Sequence, residues 1–149
     1  MLIVRTNSAN KDFIDLVCLL DKELAERDGD DHEFYHQFNN IDVLNHALIL
    51  YESNRAIACG AIKKFDDNSA EVKRMYTCID ARGRGIATQV LIALEEWAKE
   101  LGFTNTVLET GKRQPEAIAL YQKNKYQIIP NYGQYQGIEN SVCFKKELI

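Results

Sequence analysis

One stretch, residues 71–101, constrains the fold of this chain more than any other. It opens Glu71-Val72-Lys73-Arg74-Met75-Tyr76-Thr77-Cys78-Ile79, passes through Asp80-Ala81-Arg82-Gly83-Arg84-Gly85, and enters an apolar-periodic run from Ile86 to Leu101. The reading is strand, tight turn, helix. A helix start leaves its first N–H groups without intrahelical partners, and the helix dipole adds partial positive charge there. Gly83 and Gly85 remove the side chains that would hold a ligand away from the backbone. Arg82 and Arg84 add fork-shaped cations that suit phosphate. Together these features predict a site for a pyrophosphate or a similar anion.

The identity of the anion follows from what the turn lacks. A P-loop needs Lys-Ser or Lys-Thr after its last glycine, and here Gly85 is followed by Ile86-Ala87. The dinucleotide fingerprint needs a third glycine, and here that place is Thr88. A tight connection with solvated arginines would use the same residues. The strand before the turn and the tyrosine-bearing helix after it weigh against that reading.

The order Arg82-x-x-Gly85-x-Ala87 after a strand resembles the coenzyme A motif of the GNAT (Gcn5-related N-acetyltransferase) superfamily. Lys73-Arg74-Met75-Tyr76-Thr77 is similar to that family's fourth strand. Ala117-Ile118-Ala119-Leu120-Tyr121 with Lys125-Tyr126 is similar to its final helix and the strand beyond. The likeness covers residues 46–146. It implies an α/β (mixed α+β) GNAT fold, with a mostly antiparallel mixed sheet, a central parallel βαβ unit and helices on both faces.

Apolar residues make up 46% of the 149 and charged residues 27%, as in an ordinary soluble protein that forms one domain over 1–149. The net charge of −4 argues against a nucleic-acid partner. No apolar run approaches the ~18 residues of a membrane span. The N-terminus lacks the layout of a signal peptide, so a cytoplasmic protein is expected. Cys18, Cys59, Cys78 and Cys143 have no Cys-x-x-Cys spacing and read as buried small hydrophobes in a reducing compartment. His32 and His36 are four residues apart with no third ligand in view, so no metal site is expected.

Periodicity places the other elements. Met1–Arg5 reads as a strand. Asn10-Lys11-Asp12 caps an amphipathic helix over 11–27, and the turn at 28–31 precedes a short helix over 32–38. Strands follow at 47–51, 55–63 and 70–79, joined by polar turns. The motif helix spans 84–101, and a strand over 104–109 completes a right-handed parallel βαβ unit. Pro115 starts a helix that ends near Lys123, and strands at 126–129 and 141–146 close the chain.

The resemblance also implies roles. Met75, Tyr76 and Thr77 offer backbone to the pantetheine arm of acetyl-CoA. The turn Arg82, Gly83, Arg84, Gly85, Ile86, Ala87 and Thr88 takes the pyrophosphate. Gln114 stands where many members have an asparagine that touches the coenzyme. Tyr121 falls at the place of a general acid toward the coenzyme thiolate, and a phenol of pKa ~10 is protonated at neutral pH. Glu71 falls at the place of a general base in one branch; pairing with an outward-facing Lys73 or Arg74 is the other reading of it. Glu109 is a second candidate base, and Tyr132 and Tyr135 are candidate walls of the substrate pocket. The expected activity is acetyl transfer from acetyl-CoA to a primary amine by a monomer or homodimer. A non-catalytic acyl-CoA sensor on the same fold is the alternative. The acidic group Asp28, Asp30, Asp31 and Glu33 leans toward a small cationic acceptor, with a protein amine as the other class.

Overall fold

The structure, a computed structural model, describes residues 1–28 and 43–149. Seven strands form one sheet in the order β1-β2-β3-β4-β5-β7-β6. They are β1 (Leu2–Thr6), β2 (His46–Glu52), β3 (Arg55–Lys64), β4 (Ser69–Thr77), β5 (Asn105–Gly111), β6 (Gln127–Ile129) and β7 (Ser141–Glu147). Three helices accompany them among the described residues: α1 (Lys11–Asp28), α2 (Ile86–Glu100) and α3 (Pro115–Lys123). All pairings are antiparallel except β4 with β5, as the strand–helix–strand pattern requires.

Local chemistry explains the starts of the helices. Asn10 Oδ1 accepts from the N–H groups of Asp12 at 2.9 Å and Phe13 at 3.2 Å, which caps α1. Pro115 occupies the first turn of α3, where its missing N–H has no consequence. Helix α2 begins at Ile86, two residues later than the periodicity suggests, because its N-cap Gly85 sits at φ +75°. The strand expected over 70–79 ends at Thr77 and is followed by a single 3-10 turn, Ile79–Ala81. The helix expected over 32–38 and the acidic residues Asp30, Asp31 and Glu33 lie outside the described residues, as do His32 and His36. Cys59, Cys78 and Cys143 are buried, but Cys18 is exposed: it falls on the solvent side of α1, between the buried Leu16 and Leu20.

The core runs along both faces of β2–β5. Ala47, Leu48, Ile49 and Leu50 of β2 are all fully buried, so β2 is covered on both sides. Helix α2 lies so close to β3 that a Cβ on Gly60 would stand 2.7 Å from Leu94 Cδ1. Tyr126 donates to Glu95 of α2 at 2.8 Å and bonds Thr106 of β5 at 2.7 Å, so Thr106 marks the α2 face. Glu71, whose partner across the parallel pairing is Val107, therefore points to the opposite face, where Leu20 and Leu24 of α1 lie.

Two irregularities distinguish β4 from a regular strand. The β4–β5 pairing covers only Ser69–Glu71 with Asn105–Val107, so residues 72–77 of β4 continue with no strand on that side among the described residues. Between Cys59 and Ala61 of β3, β4 spends three steps, Lys73 to Tyr76, against two. The extra residue is a bulge, with Arg74 at φ +60°.

Candidate active site

The split between β4 and β5 opens a cavity of about 430 Å³. One wall is β4 itself, at Met75, Tyr76 and Thr77; a second is α3, at Ala117, Leu120 and Tyr121. The far end is the turn before α2, from Arg82 and Gly83 to Gly85, Ile86, Ala87 and Thr88. Leu20 and Glu23 of α1 and Gln114 add to the lining, with Ala81, Glu116 and Lys123 at its margins. The free edge of β4 and the end of α2 thus share one cavity.

The turn is built for close approach to backbone. Gly83 and Gly85 have φ of +78° and +75°, where a side chain is strained, and a Cβ on either would meet nothing within 4 Å. The first intrahelical bond of α2 runs from Gln89 N–H to Gly85 O at 3.2 Å. The N–H groups of residues 86–88 therefore have no intrahelical acceptor, and no side chain among the described residues caps them. Arg82 is fixed by three contacts: Nε donates to Thr77 O at 2.9 Å, Nη2 donates to Glu23 Oε2 at 3.1 Å, and its guanidinium stands 5.6 Å from the Tyr76 ring centre. Arg84 instead pairs with Glu52 at the end of β2 and does not line the cavity.

A second, smaller cavity of about 120 Å³ adjoins the first on the α1 face. Tyr121, Met75, Gln114, Ala117 and Leu20 border both. Glu71, Glu109 and Tyr135 belong to the smaller one alone. Tyr132 donates to Glu71 Oε2 at 2.6 Å, and its ring is held edge-on by Phe65 at 4.7 Å and Tyr135 at 5.9 Å. Ser141 Oγ donates to Glu109 Oε2 at 2.7 Å. Lys73 lies 4.0 Å from Glu71, and its side chain is 8% exposed; that of Arg74 is 7% exposed. The outward-facing orientation expected for these cations is thus replaced by burial.

Tyr121 sits where the cavities meet. It is 6% exposed, packed against the rings of Tyr126 and Phe144. No described residue hydrogen-bonds its hydroxyl. Burial first, and the negative charge of Glu109 second, push its phenol above the ordinary tyrosine value. It stays protonated across the neutral range and can donate. Burial likewise raises Tyr132, with Glu71 as the next cause, and Tyr135, with Glu109 and Glu71 following.

Of the residues singled out from sequence, all of Met75–Thr77, Arg82, Gly83, Gly85–Thr88, Gln114 and Tyr121 line the larger cavity, and Arg84 does not. Seven contributors went unmarked: Leu20 and Glu23 of α1, Ala81 before the turn, and Glu116, Ala117, Leu120 and Lys123 of α3. On sequence, Leu20 and Leu120 are ordinary members of apolar helix stripes, and nothing local tells a cavity wall from core.

A sequence profile described as the acetyltransferase (GNAT) family matches residues 13–126. Over 102 residues the chain is 33% identical to an IAA acetyltransferase of Azospirillum brasilense, covering 68% of this chain and 67% of that protein. Over 100 residues it is 32% identical to YsnE of Bacillus subtilis, an uncharacterised N-acetyltransferase, covering 66% of each. The chain thus spans about two thirds of the length of these relatives. Among solved structures, a Klebsiella pneumoniae protein classed as an acyl-CoA N-acyltransferase matches with TM-score 0.83 at 29% identity, over 99% of this chain and 97% of that one. A GNAT family acetyltransferase from Elizabethkingia anophelis, solved with acetyl-CoA bound, matches in fold with TM-score 0.71 at 18% identity, over 99% and 97%. The profile runs through α1, the split strands and the turn before α2, and with the relatives' identity it settles membership: the chain belongs to the acetyltransferase (GNAT) family.

Proposed function

We propose that this protein transfers an acetyl group from acetyl-CoA to the primary amine of a small molecule. The observation that carries the reading is a single cavity bounded by an unpaired strand edge, an uncapped helix start and the hydroxyl of Tyr121. Each suits one part of the coenzyme. The N–H groups of residues 86–88, with the helix dipole and Arg82, suit the pyrophosphate. The free edge of β4 at Met75–Thr77 suits the amides of the pantetheine arm, which can pair with it as an added strand does. Acetyl-CoA, when bound, supplies an acyl carbon already activated as a thioester.

The protein's share is placement and proton transfer. The acceptor nitrogen enters from the smaller cavity and bonds to the acyl carbon as the carbon–sulfur bond breaks. Before that bond forms the ammonium gives one proton to Glu71, which Tyr132 holds in place, so that a neutral nitrogen attacks. The surplus proton that the nitrogen then carries replaces the one Tyr121 spends. Tyr121 gives its proton to the departing sulfur. No covalent enzyme intermediate is needed, in keeping with the lack of a cysteine–histidine pair among the described residues.

The test follows free coenzyme thiol across a panel of amines with the wild-type protein and Tyr121→Phe. The variant is expected to lose about 100-fold in kcat while binding acetyl-CoA normally. Its stability should hold, since no described residue loses a hydrogen bond. Tight acetyl-CoA binding without turnover of any amine would identify a non-catalytic acyl-CoA sensor instead. Stronger thermal stabilisation by ATP or NAD than by acetyl-CoA would make the anion site a nucleotide site.

A further inference from the structure

Consecutive residues of a regular strand point to opposite faces, yet Lys73, 4.0 Å from Glu71, and Arg74, paired with Asp21 of α1, both reach the α1 side of β4, where the smaller cavity lies. The bulge explains this: with Arg74 in the left-handed region at φ +60°, β4 turns the second cation to the same face as the first. Arg74 Nη1 accordingly lies 3.4 Å from Asp21 Oδ1 of α1, on the side where Leu20 and Leu24 form the apolar wall. Glu71 and Glu109 border the same space from adjacent strands. Four charged side chains, two of each sign, thus surround a small cavity, and the two cations and Glu71 are at most 12% exposed. Charge withdrawn from water to this extent discriminates strongly among ligands by sign.

We propose that the acceptor is a small zwitterion: an amino acid, or an amine carrying an acidic group in the same relation. Its ammonium lies on the Glu71 and Glu109 side, and its carboxylate lies on Lys73 and Arg74. A polyamine would set cation against cation at Lys73 and Arg74. A protein N-terminus would bring no anion to them. The inference deepens the acetyltransferase reading and rests on it for the role of the cavity.

The experiment compares L-amino acids, each beside its primary amide and its decarboxylated amine, with short peptides as a fourth class. With acetyl-CoA present, kcat/KM for amino acids should exceed that for the matched amides and amines by about tenfold or more, the worth of a charge-assisted hydrogen bond. Arg74→Gln should collapse that ratio toward unity, and Arg74→Lys should restore part of it, which a merely structural role would not do. Should the Gln variant fail to fold, Lys73→Gln carries the same measurement. Equal or better turnover of the decarboxylated amines, or of peptides, overturns the proposal. If no amine turns over, thermal shift of the coenzyme-loaded protein separates the two readings. Stabilisation by amino acids but not by their decarboxylated partners keeps the zwitterion site while the acetyltransferase reading falls. Stabilisation by neither ends the zwitterion site as well.

Discussion

Gly85 serves two purposes that a larger residue would separate. Its φ of +75° starts α2 where it starts, and its bare Cα leaves the next N–H groups open. A Cβ there meets nothing within 4 Å, so Gly85→Ala carries backbone strain alone, about 1–2 kcal/mol of stability. Gly85→Glu adds a carboxylate where the proposed pyrophosphate sits, and like-charge contact of this kind costs several kcal/mol. Calorimetric titration with acetyl-CoA should therefore find the Glu variant weaker than wild type by more than about 100-fold, with the Ala variant in between. Unchanged affinity in the Glu variant would move the phosphates elsewhere. Gly83 and Gly85 were legible because a positive φ leaves its mark in residue type. The partner of Arg84 was not: Glu52 comes from a distant hairpin, and no local pattern encodes that meeting.

Among elements, α2 is tied to the sheet by more than its apolar stripe. Glu95, 6% exposed, accepts from Tyr126 at 2.8 Å and from Lys146 of β7 at 2.9 Å. Tyr126 also bonds Thr106 of β5 at 2.7 Å, so one polar group joins α2, β5 and β7. Removing one partner of a buried ion pair strands the other charge, whereas replacing both with apolar residues is often neutral. Lys146→Met should lower stability by about 3 kcal/mol in urea unfolding, and adding Glu95→Leu should recover most of the loss. A double variant as unstable as the sum of the singles would show that the two residues act apart. Sequence periods placed the described strands and helices to within a few residues, since burial of one face imposes a period of two or of 3.6. They could not give the bulge at Arg74, a residue with no special liking for φ +60°. Nor could they give the length of the β4–β5 pairing, which depends on how far two strands diverge after α2 is packed.

At the scale of the whole molecule, the tyrosines concentrate around the two cavities and beneath them. Tyr121, Tyr126 and Tyr135 are at most 6% exposed, and Tyr132 is largely covered and bonded to Glu71. All four phenols are raised above the ordinary tyrosine value, each by burial first and a neighbouring carboxylate second. The folded state therefore keeps these protons at a pH where the unfolded chain releases them. A group raised on folding lends stability that is complete below its unfolded pKa and is lost as pH climbs toward its folded one. Here the loss begins near pH 10, the unfolded value of a phenol. Each buried tyrosine then removes up to about 1.4 kcal/mol per pH unit, and the effects add. The midpoint of urea unfolding should hardly respond to these groups from pH 7 to about 9.5 and drop steeply above pH 10. Phenolate absorbance at 295 nm, followed alongside circular dichroism, supplies the check. For these four residues it should appear with loss of secondary structure and not before it. Phenolates that titrate near pH 10 in a protein still folded would mean that water reaches the tyrosines. The junction at Tyr121 would then be too wet to hold a proton donor in place through the alkaline range.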